Sequence, residues 1–316
     1  MAKISVVFSF YNEADVLEEL FERMTRVFRE SLAQYEYELV FVNDASTDAS
    51  LSMLRARAAV DPHIKIVNMS RNFGVSQCTM AGMAYATGDA VVMMDTDLQD
   101  PPEVIPELVK RWEEGADVAY TVRKRRDGEP ALKMLVTAVG YRILKRMSDV
   151  DMPIQSGDFK LLSRRVVDAV LGLQEKEPFL RGLVRWVGFK QEPVYYNREA
   201  RAGGETHFLF YQSRVLRNFL SGITAFSDLP LIWVFILGIV VSSGAFLYLI
   251  GIFVMKYLNW NLPGWSAIMA TMLVLGGSQI LATGVVGLYV AKIHAEVKRR
   301  PNYIVSDTVG FDARRP

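Results

Sequence analysis

Asp95-Thr96-Asp97 closes an apolar run, Asp89 to Met94, that reads as a β-strand. Residues two apart on a strand point the same way, so the spacing aims both carboxylates at one place. Two carboxylates held together repel, and a divalent cation, Mg2+ or Mn2+, that bridges them to a phosphate removes the repulsion. The chemistry that fits is that of an enzyme handling a nucleotide diphosphate. A bare Asp-x-Asp also occurs in solvated turns, so its neighbours matter. Leu98-Gln99-Asp100-Pro101-Pro102-Glu103 follows, where the prolines suit a turn and a first helical position and Asp100 suits a helix cap. The acidic pair therefore falls at a strand-to-helix junction.

The elements that must position this pair alternate along the chain. Strand-like runs at Lys3 to Phe10, Glu38 to Asn43, Ile64 to Met69, Asp89 to Met94 and Asp117 to Val122 enclose helical runs at Ala14 to Leu32, Asp48 to Val60, Val75 to Ala86 and Glu103 to Glu114. Such alternation predicts an α/β fold, a mostly parallel sheet covered by helices on both faces, with ligands at the carboxyl ends of the strands. Four polar clusters fall at that rim: Ser9 to Glu13, Val42 to Asp48, Ser70 to Gly74 and the acidic pair itself. Asn12 and Asp48 have the types of helix caps. Asp44 directly follows an apolar strand, where a carboxylate can accept hydrogen bonds from a base or ribose.

The second half of the chain has a different character. From Leu229 to Met255 and from Tyr257 to Ala291 no side chain is charged. Each run exceeds the roughly 20 apolar residues needed to cross a bilayer as a helix. Spans near 229–253 and 266–291 are expected, joined by a turn with Trp260, Pro263, Gly264 and Trp265 whose tryptophans suit a membrane interface. Arg214 and Arg217 precede the first span, and Lys292, Lys298, Arg299 and Arg300 follow the second. Only Lys256 lies between. The positive-inside rule then puts both ends in the cytoplasm. No cleavable leader opens the chain, and the single cysteine, Cys78, agrees with a reducing compartment. A net charge of +1 gives no pull toward nucleic acid.

Arg123-Lys124-Arg125-Arg126 leads into a basic helical pattern, Ala131 to Met147, that is either a solvated face or one lying on anionic headgroups. Phe208, Tyr211, Val215, Phe219, Ile223 and Phe226 form a stripe expected to ride the interface before the first span. Pro301 to Pro316 lacks helical periodicity and reads as a loose tail. The organisation expected is a catalytic domain over 1–205, an interfacial helix over 206–228, a hairpin over 229–291 and a tail over 292–316.

Phe10-Tyr11-Asn12-Glu13, the Asp44 turn, Ser70-Arg71-Asn72-Phe73-Gly74, the run from Asp95 to Glu103 and Ser156-Gly157-Asp158-Phe159-Lys160-Leu161 occur in one order. In that order they resemble the polyprenyl-phosphate glycosyltransferases. This is a membrane-bound branch of the inverting glycosyltransferase family 2 that includes bactoprenol glucosyltransferases and dolichyl-phosphate mannose synthases. The resemblance covers nearly the whole chain. It implies a GT-A-type catalytic domain and a homo-oligomer, a tetramer by analogy, in the bacterial cytoplasmic membrane. The partners implied are a nucleotide sugar donor, UDP-glucose first among the choices, and a polyprenyl phosphate acceptor such as undecaprenyl phosphate.

Carried over residue by residue, Glu13, Asp44 and Asp95 serve the nucleotide, and Asp95, Asp97 and Gln99 surround the metal. Asp158 flanks the reacting centre with Asp97 as its catalytic partner, while Arg123, Arg126, Lys133 and Arg201 receive the acceptor phosphate. Arg201-Ala202-Gly203-Gly204-Glu205-Thr206-His207 departs from the family's Arg-x-x-Gly-x-Ser-Lys element, with threonine and histidine at its end. Two rivals share these features, a processive polysaccharide synthase and a catalytically silent adaptor that binds a sugar nucleotide or lipid. The synthases' Gln-x-x-Arg-Trp element lacks its glutamine here, at Gly182-Leu183-Val184-Arg185-Trp186.

Overall fold

A computed structural model describes residues 1–123, 156–173, 175–176, 178–197, 229–258 and 264–311. In chain order these form β1 (Lys3–Phe10), α1 (Leu17–Ser31), β2 (Glu36–Asn43), α2 (Ser50–Ala58), β3 (Ile64–Met69), α3 (Val75–Tyr85) and β4 (Ala90–Asp95). A 3-10 turn at Pro102–Val104 leads into α4 (Ile105–Glu113), then β5 (Val118–Arg123) and β6 (Ser156–Ser163). After these come α5 (Arg164–Leu171), α6 (Leu180–Trp186), β7 (Gln191–Tyr196), α7 (Leu229–Tyr257), α8 (Trp265–Val297) and β8 (Val305–Val309).

Side-chain alternation decides which way each strand faces. Ile4, Val6, Phe8 and Phe10 of β1, Leu39 and Phe41 of β2 and Val92 and Met94 of β4 fill one core with α1 and α4. Val7, Val40, Val42, Val91 and Met93 turn to the other face and meet α3, α5 and α6. Each inward aliphatic side chain contributes about 1.5–3 kcal/mol of burial, so a one-residue slip of register would forfeit both cores at once. Gly82 lets α3 approach closest: a Cβ there would lie 2.2 Å from Val7 Cγ1 and 2.9 Å from Val42 Cγ2. Gly82→Ala is therefore expected to destabilise the catalytic domain by about 1–3 kcal/mol, read as a lowered melting temperature.

The sheet has eight strands in the order β7-β5-β6-β4-β1-β2-β3-β8. Its centre, β4-β1-β2-β3, is parallel as expected. The flanks differ, because β6 runs antiparallel to both β4 and β5, and β8 runs antiparallel to β3. The sheet is thus mixed, and β6, β7 and β8 extend the five strands that alternation predicts. The last of these corrects the loose tail. Asp307 of β8 accepts from Arg55 Nη2 and Asn68 Nδ2, each at 2.8 Å, and the Phe311 ring meets Tyr85. Ahead of it, Asn302 Nδ2 donates to the Glu175 carbonyl at 2.6 Å, and Glu296 near the end of α8 accepts from the Lys176 N–H at 2.7 Å. Val305–Val309 is only five residues long, half-buried to exposed, with Ser306, Asp307 and Thr308 between its two valines, so it carries little apolar alternation to read.

α7 and α8 pack on each other, and each contains an apolar stretch, Leu231–Ile252 and Val274–Val297, long enough to cross a membrane. Neither stretch is buried within the protein. Phe246 and Leu247 are 63% and 68% exposed, and so much apolar surface needs lipid or protein around it. The basic helix at 131–147 and the interfacial stripe from Phe208 to Phe226 lie outside the described residues.

Candidate active site

Parallel register brings the carboxyl ends of the central strands level. Ser9 pairs with Asp95, Phe10 with Asn43, and Asn43 with Asn68. The loops beyond are stitched together. The Asn12 N–H donates to Ser46 Oγ at 3.0 Å, and Asn12 Oδ1 accepts from the Thr47 N–H at 2.8 Å and the Asp48 N–H at 3.3 Å. Asn12 thus joins two loops and does not cap a helix. Asp48 behaves nearly as read, accepting from the N–H of Ser50, first residue of α2, at 3.0 Å, and also from the Ala14 N–H at 3.2 Å. Glu13 is half-buried on the same rim, its N–H donating to Ser50 Oγ at 3.0 Å.

Backbone strain concentrates here too. Asn12, Ala45 and Leu98 have φ of 56°, 60° and 55°, and each lies just beyond the end of β1, β2 or β4. Left-handed non-glycine residues cost about 1–3 kcal/mol each, and such strain gathers at functional sites. Asp44 is buried, with its carboxylate accepting from the N–H groups of Phe73 at 2.7 Å and Gly74 at 3.0 Å. The structure therefore places Asp44 as the latch that holds the loop after β3.

The strand ends at Asp95, but burial still alternates: Asp95, Asp97 and Gln99 are half-buried, while Thr96, Leu98 and Asp100 are buried. Asp158, on β6, belongs to the same charge cluster. Burial raises the Asp95 carboxyl to about 7, and repulsion from Asp158, Asp97 and Asp100 adds to it against the pull of Arg181. Asp158 goes the other way. Burial opposes its ionisation too, but hydrogen bonds and charge from Arg181, with Lys160 and Arg123 nearby, hold it at about 2. Arg181 Nε donates to Oδ1 at 2.6 Å and Nη2 to Oδ2 at 2.5 Å. Lys160 is buried, and desolvation lowers it to about 8.

Hard oxygen donors and surplus negative charge suit Mg2+ or Mn2+ at Asp95 and Asp97. Among the described residues no three acidic, histidine or cysteine groups close on one point. Mg2+ commonly takes one or two carboxylates and keeps other positions for phosphate and water, so a full cage of protein ligands is not required. The raised Asp95 carries a prediction. Its ionisation stabilises nothing in the metal-free fold, so the contribution of its neutral form is full below the ordinary carboxylate range and lost as pH rises through about 7. Asp95→Asn should therefore melt higher than the parent at pH 8 without divalent cation, by roughly 2–4 °C for about 1 kcal/mol of relieved repulsion, with a smaller difference at pH 5 that vanishes below about pH 4.

Asp100 corrects another expectation. It does not cap the helix: Pro101 holds the position before the 3-10 turn, and the Asp100 carboxylate accepts from the Tyr196 hydroxyl. Arg123 Nη2 lies 3.9 Å from the same carboxylate, and Arg123 Nε is 3.3 Å from the Tyr196 oxygen. Burial, followed by the charge of Asp100, pushes the Tyr196 hydroxyl up to about 12, so it stays a donor. A Cβ on Gly157 would lie 3.3 Å from Arg123 Nη2, so glycine there leaves the guanidinium its place beside Asp158. Arg123 thus lies among these acids, while Arg126, Lys133, Arg201 and His207 lie outside the described residues. The residues missed from the sequence are Arg181, Lys160 and Tyr196. Arg181 lies one residue before the stretch compared with the synthase element, and only the fold brings it to Asp158.

Carboxylates with arginines among them gather at the carboxyl rim of a mixed α/β sheet, the edge where such sheets take their ligands. The chain belongs to glycosyl transferase family 2, whose pattern matches residues 5–171. It is 42% identical over 312 residues to an uncharacterized glycosyltransferase of Bacillus subtilis, covering 98% of this chain and 95% of that one. It is 38% identical over 305 residues to a prophage bactoprenol glucosyl transferase homolog of Escherichia coli, covering 96% and 98%. Among solved structures, glucosyl-3-phosphoglycerate synthase from Mycobacterium tuberculosis with Mn2+, UDP-glucose and phosphoglyceric acid aligns at 19% identity. Its TM-score is 0.48, over 72% of this chain and 81% of that one.

Proposed function

We propose that this protein transfers a hexose, glucose first, from a UDP-sugar to a polyprenyl phosphate such as undecaprenyl phosphate, inverting the anomeric centre, at the cytoplasmic face of a bacterial membrane. The observation that carries the reading is the meeting of Asp95, Asp97 and Asp158 at the rim, with Arg123 and Arg181 among them. The bactoprenol glucosyl transferase name of a relative matched along nearly its full length supports the lipid acceptor and the sugar.

Asp95, Asp97 and Gln99 hold Mg2+ or Mn2+ in this reading, and the cation supplies charge neutralisation to the departing diphosphate. The nucleotide lies over the stitched loops of Glu13 and Asp44. Arg123, with Arg126, Lys133 and Arg201, grips the acceptor phosphate, where a guanidinium fork matches two phosphate oxygens. That phosphate has a second pKa near 6 and is already an anion at neutral pH, so one of its oxygens attacks the anomeric carbon without losing a proton to the protein. Asp158 orients the attack and offsets positive charge growing on the sugar ring. One displacement inverts the centre.

Residues 1–205 form the catalytic domain in this reading, with β8 from the tail completing its sheet. Residues 206–228 ride the interface, 229–291 form a multi-pass hairpin, and both termini are cytoplasmic by the charge asymmetry around it. A homo-oligomer, tetrameric by family analogy, completes the assembly. The test is transfer of labelled glucose from UDP-glucose to undecaprenyl phosphate, followed by extraction into organic solvent. Label in the lipid phase, with a β-linked product from the α-linked donor, is expected. Label only in water-insoluble polymer would make the protein a synthase, and label in neither phase an adaptor.

A further inference from the structure

We infer that Arg181 is the positioning residue that fixes the carboxylate plane of Asp158 and aims it at the reacting carbon. The inference rests on the reading above for the identity of the reaction. Asp158 is the third residue of β6, and its side chain is 43% exposed, so packing does not hold it. A short carboxylate on a strand can rotate about both its side-chain torsions. Arg181 removes that freedom by taking one oxygen with Nε and the other with Nη2, at 2.6 and 2.5 Å. A fork sets the rotation of the carboxylate plane as well as its place, which a single ammonium cannot do.

The arm itself is well founded. Arg181 is the second residue of α6, and its neighbours Leu180, Leu183 and Val184 are buried, the first and last of them in the core shared by α3 and α5. The helix is thus fastened on its apolar side and presents the guanidinium from the other. Asp95 stands across the cluster, and its charge and that of Asp158 repel each other. Lys160 and Arg123 add positive charge nearby. The low pKa of Asp158 agrees with the pairing, although the argument stands on the two contacts and the anchored helix.

A double-mutant cycle tests this. Arg181→Ala and Arg181→Lys should each lower kcat about 100-fold while the donor KM stays within about twofold, because misaimed groups lose rate and not binding. Free guanidinium should restore part of the activity of Arg181→Ala and none to Arg181→Lys. Asp158→Asn combined with Arg181→Lys should be no slower than Asp158→Asn alone. Losses that multiply in the double variant, or a donor KM that rises in step with the fall in kcat, would overturn the inference. If Arg181→Ala does not fold, Arg181→Lys carries the cycle alone. The rates are measured both for lipid glycosylation and for hydrolysis of UDP-glucose. A parent that only hydrolyses donor would overturn the proposed acceptor, while the cycle on hydrolysis would still judge Arg181.

Discussion

Asp97→Ala is expected to lower sugar transfer by roughly 10²–10³-fold, and EDTA should bring the parent to the same floor. This residue stands out because burial alternates through the loop, leaving Asp95, Asp97 and Gln99 partly exposed and the residues between them buried, and because its charge reaches Asp95. Asp97 also holds the turn, its Oδ1 accepting from the Gln99 N–H at 3.2 Å. A change at Asp97 thus removes a cation ligand of the proposed site and loosens Gln99, the third residue proposed for it. It further removes one of the three charges that repel Asp95. The metal-free variant should therefore be no less stable than the parent while almost inactive, a separation that general damage to the fold would not give. Transfer by Asp97→Ala at the parental rate would remove the metal reading altogether.

The features legible in the sequence were those with a period. Apolar alternation in β1, β2 and β4 and the amphipathic pattern of α1 and α4 placed the rim and the acidic pair, because each strand must satisfy two cores at once. The long apolar helices α7 and α8 were legible from the absence of charge. What escaped were contacts made across long separations. Asp100 looks like a cap from its neighbours, and only the return of β7 brings Tyr196 to it. Asp44 follows a strand, and only the fold shows that the loop after β3 supplies two N–H donors to its carboxylate. The strand at Val305–Val309 is too short and too polar to announce itself, and it exists because the β3 edge offers an unpaired ladder.

Asp158→Asn should cost about 10³-fold in kcat with the donor KM little changed, and the pH profile should tell which role the carboxylate plays. An amide keeps the shape and can still accept one hydrogen bond from Arg181, so the loss reports charge and aim. Because Arg181 holds Asp158 at about 2, its ionised form persists at every pH where the protein would be assayed. The stability it lends follows the same sign: full above the ordinary carboxylate range, and lost only as pH falls through about 2. Any acid limb of the parent's activity near pH 6–7 must then come from other groups, from Asp95 at about 7 before a cation binds, or from the acceptor phosphate near 6. The limb should survive in Asp158→Asn at a thousandth of the height. A general base would behave oppositely, since a proton acceptor serves best with a pKa near the working pH and its limb would vanish with it. A limb that disappears in Asp158→Asn would therefore assign the proton to Asp158. Persistence leaves it as a fixed negative charge facing a sugar that turns positive as its bond to the diphosphate breaks.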